Sequence, residues 1–118
     1  MKKALIVDAA PSMCSQFKLI LEKCGFEVVG ETGNTKRALK LYRELRPDMV
    51  TIDIALPGLG GITALQKIKE IDGNARIMVV SRFVQAQQVR AALAAGVVAY
   101  IVRPFQNEAA IPAIPNQA

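Results

Sequence analysis

Short runs of consecutive apolar residues alternate along the chain with segments in which apolar residues recur every three or four positions. The run over residues 4–7 is typical of a strand buried on both faces of a sheet, and four later segments that are mainly apolar also indicate strands. Stripes such as Met13, Phe17, Ile20 and Leu21 indicate amphipathic helices between the strands. The pattern predicts strands at 4–8, 26–30, 48–53, 75–81 and 97–102, and helices at 11–24, from 34 or 35 to 46, around 62–71 and at 84–95.

Strands that alternate with helices pair in parallel through right-handed crossovers. We therefore predict an α/β fold with a doubly wound five-stranded parallel sheet and helices on both faces. The end of the chain breaks the alternation, because Pro112 and Pro115 prevent a long helix after the fifth strand. We expect the fifth helix to be shortened or missing, and we divide the chain into a domain at 1–105 and a Pro-containing tail at 106–118.

A missing fifth helix would leave part of one face of the sheet without cover. Apolar surface left open in this way favours contact with another protein, and a homodimer through this region is one form that the contact would take. The alternative is that the chain is a fragment of a longer protein.

The composition restricts the chemistry and the location of the protein. The apolar run at 4–7 is too short for a signal peptide, and no run approaches the roughly 20 residues that span a bilayer, so we expect a cytoplasmic protein without a membrane partner. The chain has no histidine and two cysteines. Triads and zinc sites that depend on histidine are therefore excluded, whereas carboxylate sites for hard cations are not.

The net charge of +5 is unevenly distributed, because residues 73–107 contain four arginines and no Asp or Glu. This distribution suits an acidic partner or a phosphate group, and an ordinary solvated surface explains it equally well.

Four polar side chains stand at the predicted carboxyl ends of strands: Asp8, Asp53, Ser81 and Arg103. Each one alone is explained as a turn acid, a helix cap or a surface charge. Together they lie at the edge of the sheet where doubly wound folds form their sites. Two carboxylates can hold Mg²⁺, a hydroxyl and a guanidinium can hold phosphoryl oxygens, and a carboxylate can act as a nucleophile. The combination indicates phosphoryl chemistry.

The segments that carry these residues, IVD, IDIALPGLGG, VVS and AYIVRPF, resemble the receiver domain of two-component response regulators over about residues 3–105. The resemblance implies a flavodoxin-like sheet with the strand order 2-1-3-4-5. It also implies that Asp53 is the phosphoacceptor. Asp8, Asp53 and the backbone carbonyl of Ala55 match the family's Mg²⁺ ligands.

Three further positions correspond to the family's phosphate-binding and switch residues. Ser81 matches the hydroxyl that contacts the phosphoryl group, and Tyr100 matches the aromatic residue that moves with it. Arg103 stands where the family has a phosphate-binding lysine. The resemblance also implies a cis peptide bond before Pro104.

Three positions depart from the family's pattern. Ala9 replaces the second acid of the usual pair, Arg103 replaces a lysine, and Arg82 stands where a small residue is usual. Asp8, Asp53, Arg82 and Arg103 together have no net formal charge, so we expect Mg²⁺ to bind weakly if at all. In that case Arg103 would pair with Asp53, while Arg82 either lines the site beside Ala9 or points outward.

The predicted function is that of a response-regulator receiver in a phosphorelay. It would accept a phosphoryl group on Asp53 from a histidine kinase or phosphotransfer protein and signal to an output protein by contact. The alternative is a degenerate receiver, a protein-interaction module that works without phosphorylation or without Mg²⁺. We expect no enzyme activity beyond self-catalysed phosphoryl acceptance and no DNA-binding domain. A flavin or nucleotide site is disfavoured because no Gly-rich phosphate loop occurs.

Overall fold

The computed structural model describes residues 1–56, 60–81 and 86–102 of the 118-residue chain. Strands and helices alternate throughout these residues, as the apolar pattern predicts. The elements in chain order are β1 (Lys2–Val7), α1 (Pro11–Lys23), β2 (Phe26–Thr32), α2 (Thr35–Leu45), β3 (Met49–Asp53), α3 (Gly60–Ile71), β4 (Ile77–Ser81), α4 (Ala86–Ala94) and β5 (Ala99–Val102).

The five strands form one parallel sheet in the order β2-β1-β3-β4-β5. This confirms the predicted doubly wound, flavodoxin-like fold. The central strands are apolar along their whole length because both of their faces are covered: every residue of β3 and β4 is buried. The sheet therefore holds the ends of its strands on a rigid support.

Two apolar cores lie on opposite faces of the sheet. One contains Leu5 and Val7 of β1 together with buried residues of α2, α3 and α4. The other contains Ala4 and Ile6 of β1 together with Phe17 and its neighbours in α1. Successive side chains of a strand point to opposite faces, which explains how one strand supplies both cores.

The helix ends follow local chemistry that the sequence shows. Pro11 stands in the first turn of α1, where its missing N–H costs no hydrogen bond. The side chain of Asn34 caps α2 by accepting a hydrogen bond of 3.0 Å from the backbone N–H of Arg37. This selects Asn34 over Thr35 as the cap.

A polar cluster joins the ends of α2 and α3, at the edge of the sheet opposite to the carboxyl ends of the strands. The hydroxyl of Tyr42 donates a hydrogen bond of 2.8 Å to Oδ2 of Asp72, and Nη1 of Arg46 lies 3.5 Å from the same oxygen. Burial, followed by the hydrogen bond to Asp72, raises the pKa of Tyr42 to about 12. The same hydrogen bond is the largest cause that lowers the pKa of Asp72.

Some boundaries differ from the prediction. β2 extends to Thr32, past the predicted end at residue 30, because its polar end still pairs with β1. β5 begins at Ala99, two residues later than predicted. No helix among the described residues is both long enough and apolar enough to cross a membrane.

The expected fifth helix and the tail at 106–118 lie outside the described residues. Ala99 and Ile101 of β5, which belong to the same core as α1, are buried. The predicted homodimer therefore gains no support from the part of the sheet that the structure describes.

Candidate functional site

The carboxyl ends of β1 and β3 form the switch point of the sheet. The chain runs from β1 to β2 on one side and then returns to β3 on the other side of β1, which opens the crevice where such folds bind ligands. Val7 of β1 pairs with Ile52 of β3. The next residues, Asp8 and Asp53, therefore leave neighbouring strands side by side, with the strands about 4.8 Å apart. The structure brings these two predicted acids together.

Asp53 is held firmly at the end of β3. Its side chain is buried, with 7% of the residue exposed, and its Oδ1 accepts a hydrogen bond of 2.9 Å from the backbone N–H of Ala55. The N–H of Ile54 donates to the carbonyl of Val80 at 2.9 Å and continues the pairing with β4. The carboxylate thus has a defined orientation at the edge of the sheet.

Asp8 is fixed in a similar way beyond the end of β1. Its N–H donates to the carbonyl of Thr32 at 2.8 Å, and its Oδ1 accepts a hydrogen bond of 2.9 Å from the N–H of Ala10. The thiol of Cys14 donates to the carbonyl of Asp8 at 3.4 Å. Burial, then the negative charges of Glu31 and Asp8, raises the pKa of Cys14 to about 11. This thiol therefore stays protonated and supports Asp8 as a donor.

Ser81 and Tyr100 lie on the strands beyond β3. Ser81 ends β4 and is 2% exposed, and Tyr100 pairs with Val79 in the neighbouring strand β5. The ring of Tyr100 packs against the core beneath α2, α3 and α4. Its hydroxyl oxygen is buried and has no hydrogen-bond partner among the residues that the structure describes.

Position 9 carries no carboxylate, and its backbone is closely covered. Ala9 is exposed, and the turn before α2 lies against it: a Cβ added at Gly33 would come within 2.7 Å of the Cα of Ala9. Within residues 1–56, 60–81 and 86–102, no three His, Cys, Asp or Glu side chains group so that they could hold a metal ion.

Residues 4–114 match the model of the response regulator receiver domain. The chain belongs to this family.

Curated receivers of similar length support the assignment. The chain is 43% identical to the chemotaxis protein CheY of Thermotoga maritima over 113 residues, which cover 96% of this chain and 94% of that protein. It is 46% identical to the chemotaxis protein CheY of Bacillus subtilis over 112 residues, 95% of this chain and 93% of that protein. These matches span nearly all of each partner, so they compare whole receivers.

A solved receiver has the same architecture. The structure of the CheX–CheY–BeF3–Mg²⁺ complex from Borrelia burgdorferi matches with a TM-score of 0.87 and 31% identity, covering 94% of this chain and 84% of that one. Both chains therefore place their strand ends in the same arrangement.

Receivers normally bind Mg²⁺ at their acidic pocket, and the donors present in this receiver suit a hydrated ion. Asp8 and Asp53 supply carboxylate oxygens at adjacent strand ends, and Ala55, which is exposed, has a backbone carbonyl two residues beyond Asp53. Mg²⁺ prefers such oxygen donors, keeps several waters and is often held by only one or two carboxylates. The methyl group of Ala9 offers no ligand.

Three predicted site residues, Arg82, Arg103 and Pro104, lie outside the described residues. The proposed pairing of Arg103 with Asp53, the cis peptide bond before Pro104 and the direction of Arg82 therefore remain predictions. So does the domain boundary at 105.

Two features of the site were missed in the sequence. The pattern shows Cys14 only as an apolar position of α1, without its contact to the carbonyl of Asp8. Gly61 is visible only as part of a Gly-Gly pair, but its amide donates to the carbonyl of Ile54 at 3.1 Å, directly beside Asp53. Glycine inside a helix, where it is disfavoured, was the available signal.

Proposed function

We propose that this receiver accepts a phosphoryl group on Asp53 from the phosphohistidine of a kinase or phosphotransfer protein. The observation that carries the proposal is the buried, hydrogen-bonded carboxylate of Asp53 at the switch point of the sheet, beside a second buried carboxylate at Asp8. The similarity to whole chemotaxis receivers supports the same role.

The transfer uses the carboxylate of Asp53 as a nucleophile. A carboxylate oxygen attacks phosphorus while the phosphorus–nitrogen bond of the donor breaks, and the bonding pair stays on the donor's imidazole. That ring, protonated on its other nitrogen, leaves as neutral imidazole, and Asp53 becomes an acyl phosphate. The hydrogen bond from Ala55 holds the carboxylate in one orientation for this attack.

Mg²⁺ would be held by Asp8, Asp53 and the carbonyl of Ala55, and when bound it would neutralise charge on the phosphoryl oxygens. Arg103 would contribute positive charge to the same oxygens. We propose that Mg²⁺ binds weakly, because Ala9 leaves the pocket with one carboxylate fewer than the family's pattern.

Ser81 and Tyr100 would convert phosphorylation into a change of surface. The hydroxyl of Ser81 would hydrogen-bond a phosphoryl oxygen at the end of β4. The hydroxyl of Tyr100 is buried without a partner among the described residues, and a buried unsatisfied group costs about 1–3 kcal/mol. This cost favours a second position of the ring in which the hydroxyl reaches water.

Signalling would follow by protein contact in the cytoplasm, with an output protein that recognises the phosphorylated form. The protein would turn over no external substrate. A second candidate is a degenerate receiver that acts without phosphorylation or without Mg²⁺, and the observation that favours it is the missing carboxylate at Ala9.

Intact-mass spectrometry after incubation with phosphoramidate and Mg²⁺ tests the proposal. The wild type should gain the mass of one phosphoryl group, and Asp53→Asn, which keeps the shape of the side chain, should gain none. Circular dichroism of the variant shows whether it is folded. Equal mass gain in Asp53→Asn would place the acceptor elsewhere, and no gain in the wild type would favour the degenerate receiver.

A further inference from the structure

Gly61 lies in the first turn of α3, in direct contact with the backbone that carries Asp53. It is buried, and its N–H donates to the carbonyl of Ile54 at 3.1 Å. A Cβ added at Gly61 would lie 2.5 Å from the Cα of Ile54 and 2.9 Å from the carbonyl carbon of Asp53, and it would overlap the carbonyl oxygen of Asp53. All of these are backbone atoms, so no change of side-chain rotamer relieves the overlap.

Comparison with the neighbouring Gly60 shows that position 61 requires glycine because a side chain has no space there. Gly60 has a positive φ of 83° and nothing within 4 Å of an added Cβ, so its conformation alone favours glycine. Gly61 has no positive φ, and only the lack of room favours glycine there. Glycine in a helix costs roughly 1 kcal/mol relative to alanine, so helix stability does not explain its presence.

The segment after Asp53 is held from two sides. On the sheet side, the N–H of Ile54 donates to the carbonyl of Val80 at 2.9 Å. On the helix side, the carbonyl of Ile54 accepts from Gly61. The next N–H, that of Ala55, donates to Oδ1 of Asp53. A shift of Ile54 would therefore move the amide that orients the Asp53 carboxylate.

We propose that Gly61 is a positioning residue for Asp53. Its missing side chain lets α3 approach the end of β3, and the contact sets the position of Ile54 and Ala55, which in turn orients the carboxylate. The consequence for phosphoryl transfer rests on the function proposed above, whereas the orientation of the carboxylate does not.

The test compares Gly61→Ala with Gly73→Ala, a matched control. Gly73 is exposed, has ordinary backbone geometry, and has nothing within 4 Å of an added Cβ. Relieving the overlap at Gly61 requires a shift on the order of 1 Å, and a misplacement of that size can lower a reaction rate about 100-fold. We expect the maximal rate of phosphorylation by phosphoramidate to fall roughly 10- to 100-fold in Gly61→Ala, with the half-saturating donor concentration unchanged. Gly73→Ala should keep the wild-type rate.

Amide chemical shifts test the role of Gly61 independently of phosphorylation. In ¹H–¹⁵N spectra of the proteins without phosphodonor, Gly61→Ala should shift the Ile54 and Ala55 amides, and Gly73→Ala should leave them in place. A folded Gly61→Ala variant with unmoved Ile54 and Ala55 amides, or with the wild-type rate, would overturn the inference. If the wild type is not phosphorylated, the proposed function fails, but the amide shifts still decide the role of Gly61.

A second measurement needs no variant and applies if Gly61→Ala does not fold. Beryllium fluoride with Mg²⁺ is added to the wild-type protein as a phosphoryl mimic, and hydrogen exchange is followed at individual amides. Coupling through Ile54 predicts that the exchange rates of the Ala55 and Gly61 amides change together. Once changed amides elsewhere in the protein show that the mimic is bound, a change at Ala55 with none at Gly61, or no change at either, would refute the coupling.

Discussion

Restoring a carboxylate at position 9 should convert the pocket into a much tighter Mg²⁺ site. Ala9→Asp adds one negative charge beside Asp8, at an exposed position that already carries a Cβ, so the change introduces no steric clash through the backbone. The two acids already in place are 4% and 7% exposed, and their orientation is set by hydrogen bonds from Ala10 and Ala55. The variant therefore tests one ligand on an otherwise unchanged support.

The exposure of position 9 sets the size of the effect. Two unit charges 4 Å apart attract by about 1 kcal/mol in water and about 4 kcal/mol at the effective dielectric near a protein surface, and a divalent ion doubles these values. We take the lower limit, about 2 kcal/mol, because residue 9 is exposed and because ordering the new ligand offsets part of the gain. This corresponds to a roughly 30-fold lower Kd for Mg²⁺.

Isothermal titration calorimetry of chelator-treated protein with Mg²⁺ measures the change. Ala10→Asp is the charge-matched control: residue 10 is the N-cap of α1, where an aspartate bonds to the helix N–H groups, away from an ion. The control should change the Kd much less than Ala9→Asp does. Equal Kd values for wild type and Ala9→Asp, or an equal gain in Ala10→Asp, would refute the view that one missing ligand weakens the site.

Two further predictions concern buried hydroxyl groups. Because the folded pKa of Tyr42, about 12, lies above its ordinary value of 10.0, its contribution to stability is complete below pH 10 and is lost as the pH rises towards 12. Tyr42→Phe removes the hydrogen bond to Asp72, so the variant should be less stable than wild type in urea unfolding at neutral pH. This difference in stability should shrink above pH 10, and a difference that stays constant with pH would contradict the linkage. Tyr100→Phe should raise the free energy of unfolding by about 1 kcal/mol, because it removes a buried hydroxyl that has no hydrogen-bond partner among the described residues. A loss of stability in this variant would show that the hydroxyl is hydrogen-bonded.

The layers of the fold and the position of the acids follow from local patterns. Apolar runs that alternate with helical stripes predict a parallel sheet, and a strand buried on both faces ends where its apolar run ends. That is why the sequence alone places Asp8, Asp53 and Ser81 at one edge of the sheet. The end of β2 was misplaced because Glu31 and Thr32 are polar, and their pairing with β1 depends on another strand.

The glycine contacts that hold the backbone around these acids join residues from different elements of the fold. Gly61 of α3 contacts Ile54 beyond the end of β3, and Gly33 contacts the backbone of Ala9 only because β2 lies beside β1, so spacing along the chain does not reveal either approach.

 The sequence therefore predicts which side chains stand at the site, whereas their orientation depends on packing between elements that are distant along the chain.

The two glycine contacts differ in what they imply for the site. A side chain at Gly33 would press on the Cα of Ala9, at a position where the family's second acid is already absent, so its effect on Asp53 would be indirect. A side chain at Gly61 would press on the peptide that joins Asp53 to Ile54, and that peptide is held on its other side by β4. The Gly33 contact therefore concerns cation binding near position 9, and the Gly61 contact concerns the orientation of the Asp53 carboxylate. Mg²⁺ affinity and the orientation of the carboxylate should therefore respond to different substitutions. Ala9→Asp should raise Mg²⁺ affinity while leaving the Ile54 amide in place, and Gly61→Ala should move that amide.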